Sequence, residues 1–145
     1  PYRPMERHVE VIRCADEIDL LATAVAPRFI DAYREQVLEG DLTLRAGLSP
    51  SVAERVATNH GETAREMMAA GGLTLRELDQ RPPFSFTISR AGDTESLSLL
   101  IYGTEGLNGY LINEQPEAIS FARELFERYW AETTPWETGD SRVSS

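Results

Sequence analysis

Residues 18–25 read Ile-Asp-Leu-Leu-Ala-Thr-Ala-Val, a mostly apolar run that ends shortly before Pro27. Such a run is typical of a strand that is buried on both faces, as in parallel sheets. Residues 28–39 then place apolar side chains on one helical face, and Gly40 ends that helix. The stretch predicts a strand followed by a helix, the unit from which helix-covered sheets are built.

Further along the chain, strand and helix patterns continue to alternate. Residues 41–48 alternate apolar and polar side chains, which predicts a second strand. Ser49 followed by Pro50 is typical of a helix start, with Ser49 as the cap. A second helical stretch over 62–70 ends at a glycine pair, and leucines between 73 and 78 mark a third strand.

After the proline pair that ends at Pro83 the hydrophobic period changes to two. Apolar and polar side chains alternate over 84–88 and 97–101, and less strictly over 107–112. Turns that contain glycine separate these segments, which predicts an antiparallel meander.

Helical patterns flank the strands at both ends of the chain. A short amphipathic helix is predicted over 5–14, and a last helix opens at Pro116. The predicted fold class is therefore α/β. It has a mixed β-sheet in which βαβαβ is followed by an antiparallel βββ meander and a C-terminal helix, with helices packed on the sheet.

The charge composition favours one kind of environment. The 145 residues include 24 acidic and 14 basic side chains, for a formal net charge of −10, and all of these basic residues are arginine. A protein that works in molar salt tends to carry such an acidic, lysine-free surface, because a Debye length of about 3 Å screens self-repulsion. A genome rich in G and C also favours Arg over Lys, but we favour the halophilic interpretation.

Composition also limits the partners and the compartment. Nucleic-acid binding rests on clustered basic side chains, but the arginines are scattered and nearly all lie beside an acid. We therefore expect no DNA binding by this segment itself.

No apolar run approaches the roughly 20 residues of a membrane span, and no signal-peptide pattern opens the chain, so a cytoplasmic location without membrane contact is expected. Because the chain starts at Pro1, we expect it to derive from a longer polypeptide.

Three stretches resemble a known family. They are residues 2–8 (Tyr-Arg-Pro-Met-Glu-Arg-His), 25–29 (Val-Ala-Pro-Arg-Phe), and 113–119 (Asn-Glu-Gln-Pro-Glu-Ala-Ile) running into 124–129 (Glu-Leu-Phe-Glu-Arg-Tyr). They are similar to the effector-sensing domain of haloarchaeal winged-helix transcription regulators, the methanogenesis-regulator middle-domain type. That domain is distantly similar to the sugar-sensing domain of TrmB-type regulators and to half of a phospholipase-D-like fold. The resemblance covers roughly residues 2 to 132.

The resemblance implies transcriptional regulation. It implies a linker helix over 1–15 from an N-terminal winged helix that is missing from this sequence, an effector-sensing domain over 16–132 and a polar tail over 133–145. The domain would bind a small-molecule effector of unknown identity, and DNA only through the missing winged helix. We expect a homodimer, because such regulators usually read two half-sites. The apolar side of the first helix (Met5, Val9, Ile12) either forms the dimer seam or packs on this same domain.

Patterns for catalysis and metal binding are missing from the sequence. Phospholipase-D-type chemistry needs a His nucleophile with a Lys two residues on, whereas His8 is followed by Glu10 and the chain has no Lys. His8 and Cys14 lie on opposite faces of one helix and make a poor zinc pair, so surface or linker roles are expected for the histidines. No Gly-x-Ser-x-Gly elbow occurs. We expect no enzyme activity, no cofactor and no metal.

Candidate ligand-binding residues follow from the predicted sheet. Open α/β sheets bind ligands beyond the carboxyl ends of their strands, which selects Thr23, Arg28, Arg45 and Glu77. Arg28 is the best of these, because a guanidinium near a helix start forks onto a carboxylate or phosphate. Alternatively, Arg28 is a solvated arginine in the first turn of a helix and binds nothing. Arg45 faces either solvent or a cleft.

The remaining candidates also have two interpretations each. Tyr102 and Tyr110 border the last hairpin, where they either line a pocket rim or are ordinary sheet residues. Cys14 is either a redox sensor beside Arg13 or, as we favour, a small apolar filler. Three functions stay open: the favoured effector-binding and dimerising domain, a protein–protein dimerisation module with a vestigial pocket, and an enzyme of unrecognised type.

Overall fold

Helices and strands alternate along the chain as the sequence pattern predicts. The computed structural model describes residues 3–137. The helices of this part are α1 (Pro4–Cys14), α2 (Pro27–Glu39), α3 (Pro50–Asn59), α4 (Gly61–Ala69) and α5 (Pro116–Ala131). The strands are β1 (Glu17–Ala22), β2 (Thr43–Leu48), β3 (Leu73–Glu77), β4 (Ser85–Ala91), β5 (Thr94–Gly103), β6 (Gly106–Asn113) and β7 (Thr134–Pro135).

The strands form one mixed sheet in the order β6-β5-β4-β1-β2-β3-β7. β1, β2 and β3 are parallel, and their register aligns Leu20 with Ala46 and Ala46 with Leu75. β4 runs antiparallel to β1, and β4, β5 and β6 form the antiparallel meander. The predicted α/β fold, with βαβαβ followed by the meander and a C-terminal helix, is therefore confirmed.

Helices cover the sheet on both faces. Because side chains alternate along a strand, Leu20 of β1 packs under α1–α4, whereas Leu21 packs under α5. β1 lies between β4 and β2 at the centre of the sheet, so it has no side that faces water. The apolar run of residues 18–25 thus contains most of the central strand, although the strand ends at Ala22 and not at Val25.

The end of the domain differs from the prediction. A polar tail was expected over 133–145, but Thr134–Pro135 pair with β3 as β7. Trp136 is buried, and its Nε1 donates a hydrogen bond to the carbonyl oxygen of Ala53 at 3.2 Å. A buried indole with a satisfied N–H anchors a chain end that its polar sequence alone would leave in solvent. Residues 138–145, like residues 1–2 at the other end, lie outside the described part of the chain.

Helix α1 packs on the body of its own domain. Val9 and Ile12 are buried in the core, and Met5 packs against it. The helix contacts α2, β4 and β6. Of the two alternatives for this apolar side, packing within the chain is the one found, and the dimer-seam alternative is wrong for it because buried side chains cannot meet a second chain.

A cluster of charges joins α5 to the sheet. The Arg45 guanidinium on β2 donates to both carboxylate oxygens of Asp19 on β1, at 2.8 and 2.9 Å, and to Glu127 on α5 at 3.1 Å. Its Cζ lies 4.9 Å from the ring centroid of Phe126 and 5.3 Å from that of Trp130. Hydrogen bonding to Asp19 raises the pKa of Arg45, so this cation is fixed in place by two carboxylates and two rings.

We predict that Arg45→Met destabilises the fold. Asp19 is only 14 % exposed, and after the change its carboxylate keeps Arg123, at 3.4 Å, as a cationic partner. The expected loss is about 1–3 kcal/mol of unfolding free energy, below that of a fully buried pair because Arg45 is partly solvated. Urea unfolding in KCl, followed by circular dichroism, measures it.

Arg34→Met is the matched control for this prediction. Arg34 also makes a two-point ion pair, with Glu66, but both side chains are exposed. Exposed pairs contribute little, so this variant should stay close to the parent. Equal losses in the two variants would contradict a structural role for the Asp19–Arg45 pair.

Candidate functional site

A cavity of about 60 Å³ lies between strands β1–β3 and helices α2–α4. The strands supply its floor and the three helices supply its roof. The floor residues are Leu20, Ala22, Leu44, Ala46, Leu48, Leu73 and Leu75, and the others are Val25, Ile30, Tyr33, Val56, His60, Thr63, Ala64 and Met67. We call this space the apolar cavity.

Small side chains leave the apolar cavity open. Ala22 and Ala46 occupy floor positions whose neighbours along the strands are leucines, and Ala64 occupies the roof. All three are buried, with at most 4 % of their surface exposed. Larger apolar side chains at these positions would fill the space, as they do in the second core cluster under α5.

The wall of the apolar cavity is almost entirely carbon. Its polar side chains are Tyr33, His60 and Thr63. Tyr33 is buried, and that burial raises the pKa of its hydroxyl, which therefore stays uncharged. His60 and Thr63 are half-buried and lie where α3 meets α4. Apolar carbon therefore makes up most of the surface that a bound group would meet.

An exposed ion pair joins two of the helices that form the roof of the apolar cavity. Arg34 of α2 donates from Nε and Nη2 to the two carboxylate oxygens of Glu66 on α4, at 2.9 and 3.2 Å. The residues next to them in sequence, Tyr33 and Met67, line the cavity. The two helices that close over the cavity are therefore linked across it by a solvent-exposed contact.

A polar groove adjoins the apolar cavity at the junction of α3 and α4. This groove has a volume of about 310 Å³ and shares His60 and Thr63 with the cavity. Its other residues include Asn59, Glu62 and Arg65. A polar surface groove therefore lies next to an apolar interior.

A buried polar chain connects α1 to the meander. His8 Nδ1 lies 2.7 Å from the Tyr110 hydroxyl, which lies 3.0 Å from Ser98 Oγ. Which of His8 Nδ1 and the Tyr110 hydroxyl donates depends on the tautomer of the imidazole. His8 is fully buried, edge-on to the ring of Phe29 on α2, and its desolvation lowers its pKa to about 4. The surface role expected for the histidines is therefore wrong for His8, whereas the linker role stays a prediction.

The structure distributes the predicted ligand-binding residues over both faces of the sheet. Thr23 is buried, and its backbone N–H and hydroxyl lie 2.9 and 2.8 Å from Ser85 Oγ. Arg28 is exposed in the first turn of α2. Arg45 faces α5 and is held by Asp19, on the opposite side of the sheet from the apolar cavity.

The other three predicted residues also lie apart. Glu77 is half-buried at the end of β3. Tyr102 is half-buried in the meander, where burial raises its pKa to about 12, and Tyr110 belongs to the chain with His8. None of the six lines the apolar cavity, so ligand binding by them stays a prediction.

The residues that line the apolar cavity differ from those that the sequence predicts for a ligand site. Ala22 and Leu48, the last residues of β1 and β2, line it, but so do Leu44 and Leu73 near the other ends of their strands, so the cavity is not confined to the carboxyl ends of the sheet. The alanines were missed because an alanine in an apolar pattern looks like an ordinary core residue. The sequence does contain one indication of the cavity. Ala46 follows Leu42 and Leu44 in an alternating strand, where a larger apolar side chain is usual.

Two further expectations concern Ser49 and Cys14. Ser49 precedes α3 as predicted, but its side chain makes no capping bond, and its buried Oγ has no hydrogen-bond partner within the described residues. Cys14 is exposed, so the preferred interpretation as a buried filler is wrong. Across residues 3–137 no group of His, Cys, Asp and Glu is placed to hold a metal ion.

Comparison with known proteins places this geometry in context. The sequence model of one family, described as the middle domain of methanogenesis regulatory protein FilR1, matches residues 1–132. No curated protein matches the sequence. None of the helices within residues 3–137 is long and apolar enough to cross a membrane.

Several solved structures share the fold at low sequence identity. The archaeal chromatin protein TrmBL2 has a TM-score of 0.70 at 15 % identity over 91 % of this chain. This chain spans 50 % of that protein. Nuc from Salmonella typhimurium, a phospholipase D family member, has a TM-score of 0.60 at 15 % identity, over 90 % of this chain and 88 % of its own. NucT from Helicobacter pylori has a TM-score of 0.61 at 12 % identity, over 91 % of this chain and 90 % of its own.

We predict that acid weakens this fold through His8. Folded His8 has a pKa near 4 against 6.5 in the unfolded chain, so only the unfolded state takes up a proton between these values. The free energy of unfolding should hold above about pH 6.5 and fall by about 3 kcal/mol as the pH drops towards 4. Urea titrations across this range measure the slope.

The His8→Gln variant should lose this component of the slope, and His60→Gln should keep it. Carboxylates titrate in all three proteins, so the difference between variants isolates His8. An identical pH dependence in His8→Gln and the parent would show that His8 is not held neutral by burial.

Proposed function

The chain belongs to the family of the methanogenesis regulatory protein FilR1 middle domain, and from this we propose that it is the effector-binding, dimerising domain of an archaeal transcription regulator. The match over residues 1–132 carries the proposal, since it spans nearly the whole sequence. The apolar cavity supports the effector part, because ligand sites in α/β domains are concave and mostly apolar.

DNA binding would belong to another part of the regulator. Several arginines of this domain pair with its own acids, as in Arg45–Asp19, Arg34–Glu66 and Arg90–Glu17, and the net charge of −10 disfavours contact with phosphates. TrmBL2, described as binding DNA, is about twice as long as this chain. We expect a winged helix before α1, with α1 as the linker helix, 16–132 as the effector domain and the polar tail starting after the buried Trp136.

The contacts of α2 suggest how an effector would act on such a linker. Ile30 and Tyr33 of α2 line the apolar cavity. Phe29 of the same helix contacts the ring of His8 on α1, at 4.9 Å between centroids. A ligand that binds better to one position of α2 would shift α1 with it, which is the population shift expected of a sensor domain.

An exposed apolar surface supports the homodimer. Ile101 of β5 and Leu111 of β6 lie on the α5 side of the sheet with 49 % and 59 % of their surface exposed. β6 is also the edge strand, and exposed apolar groups on an edge strand are typical of association sites. We place this dimer in the cytoplasm of a halophile, consistent with the net charge of −10.

The similarity to phospholipase D family structures supports the fold and no reaction. The sequence has no lysine, and Glu10 and Glu62 stand two residues after His8 and His60. His8 is buried and bonded to Tyr110, away from any open cleft. We therefore propose a non-catalytic domain that works without a cofactor.

The modest size of the apolar cavity favours one alternative. At about 60 Å³ it is smaller than the roughly 150 Å³ apolar cavity that holds benzene in an engineered protein. A protein–protein dimerisation module whose pocket is vestigial would also retain such a space, together with the exposed Ile101 and Leu111.

We expect a ligand screen to separate these functions. Thermal unfolding in molar KCl, followed by the fluorescence of Trp130 and Trp136, is recorded against a library of sugar phosphates, organic acids, nucleotides and hydrocarbons. A binder at 100 times its dissociation constant adds about 2.7 kcal/mol, a shift of roughly 5–10 °C for a domain of this size. A library without any binder would favour the dimerisation module.

The dimer itself is tested by Leu111→Arg. A charge in the middle of an apolar contact should convert a dimer into a monomer in light scattering in molar KCl, because an unpaired buried charge is costly. Thr104→Arg, in the exposed β5–β6 turn, adds the same charge elsewhere and should leave the mass unchanged. A monomeric parent, or a Leu111→Arg dimer, would disprove the proposed surface.

A further inference from the structure

The wall of the apolar cavity determines which ligand atoms can enter it. An unpaired amide or hydroxyl transferred from water into such a wall costs about 1–3 kcal/mol, and an ionised group costs more. No acidic or arginine side chain lines the cavity, and its polar lining side chains are those of Tyr33, His60 and Thr63, the last two at the edge shared with the polar groove. Each buried methylene, in contrast, gains about 0.8 kcal/mol. Sugars, phosphates and nucleotides are therefore disfavoured in the interior, and hydrocarbon is favoured.

The volume of the apolar cavity limits the ligand further. About 60 Å³ accommodates a group of a few carbons before the walls must move. Met67 is the adaptable part of the roof, since its unbranched thioether changes rotamer easily. α4 is a short helix whose buried residues are Ala64 and Met67, so few contacts oppose a small displacement of this wall.

Arg34 and Glu66 form an ion pair between α2 and α4, two of the helices that line the cavity. It is the exposed link between α2 and α4, with 44 % and 47 % of the two side chains accessible. Such pairs are weak, and molar salt weakens them further. The half-buried lining residues Ile30 and Thr63 belong to the same two helices, so parting α2 from α4 exposes the interior.

We propose that the apolar cavity binds a short hydrocarbon group, which enters between α2 and α4. This inference rests on the proposed effector-binding function and names the chemistry of the effector. The group is either a free hydrocarbon or the end of an amphiphile whose polar part lies in the groove at His60 and Thr63. In both cases the recognised part is apolar.

Methyl NMR with three probes tests the proposal. Toluene represents a free hydrocarbon, hexanoate represents an amphiphile, and acetate is hexanoate without most of its chain. The expected result is saturable shifts of the Met67, Ala46 and Ala64 methyl signals with toluene or hexanoate and none with acetate. Hexanoate binding that weakens in His60→Gln would identify an amphiphile, and toluene binding alone would identify a free hydrocarbon; both outcomes support the proposal.

Variants with larger side chains in the apolar cavity test whether the methyl shifts come from binding inside it. Ala64→Leu places a larger side chain in the roof and should weaken binding at least tenfold. Ala69→Leu, at an exposed position of the same helix, should bind like the parent. Ala46→Val fills the floor from β2 and serves as a second variant should Ala64→Leu fail to fold. Unchanged binding in a folded filling variant would overturn the proposal.

Ligand binding to the parent and to Ala64→Leu also distinguishes a failure of this inference from a failure of the proposed function. A polar metabolite that stabilises the parent and Ala64→Leu equally would leave the effector-binding function standing and would overturn the hydrocarbon inference. If neither hydrocarbons nor metabolites bind, both are wrong.

Discussion

The central strand β1 must be covered on both faces, and the rest of the structure follows from this constraint. β1 lies between β2 and β4, so its backbone groups are bonded on both sides and its alternating side chains point into two separate cores. Helices α1–α4 close one core and α5 closes the other. The polar exception, Asp19, is acceptable in this position because Arg45 neutralises it and Phe126 and Trp130 cover that arginine.

The two cores are packed differently. Under α5 the large side chains of Phe86, Ile88 and Phe126 fill the space, and an ion-pair cluster fixes the helix. Under α2–α4 alanines line a cavity, and an exposed ion pair joins α2 to α4. Empty apolar volume costs stability, so this more adaptable half of the domain gains less stability from packing than the half under α5.

Helix α2 couples this adaptable half to the first helix. Its inner side reaches the apolar cavity through Tyr33, and Phe29 reaches His8 on α1. His8 in turn is bonded to Tyr110 of the edge strand. The His8 side chain thus joins α1 to both α2 and β6, so a rearrangement of either element would be felt by α1.

The order of elements, the strand buried on both faces, the meander and the family resemblance could all be predicted from the sequence, because hydrophobic periods of 2 and 3.6 and the residues at element ends are local properties. The absence of lysine from the sequence also led us to expect no phospholipase-D-type chemistry. The burial of His8, the position of Arg45 under α5, the burial of Trp136 and the small side chains around the cavity could be seen in the tertiary structure alone. These features depend on partners far apart in sequence, such as His8 and Tyr110, which are 102 residues apart. A local pattern records whether a side chain is apolar, but not which distant side chain it will meet or whether the space between them is filled.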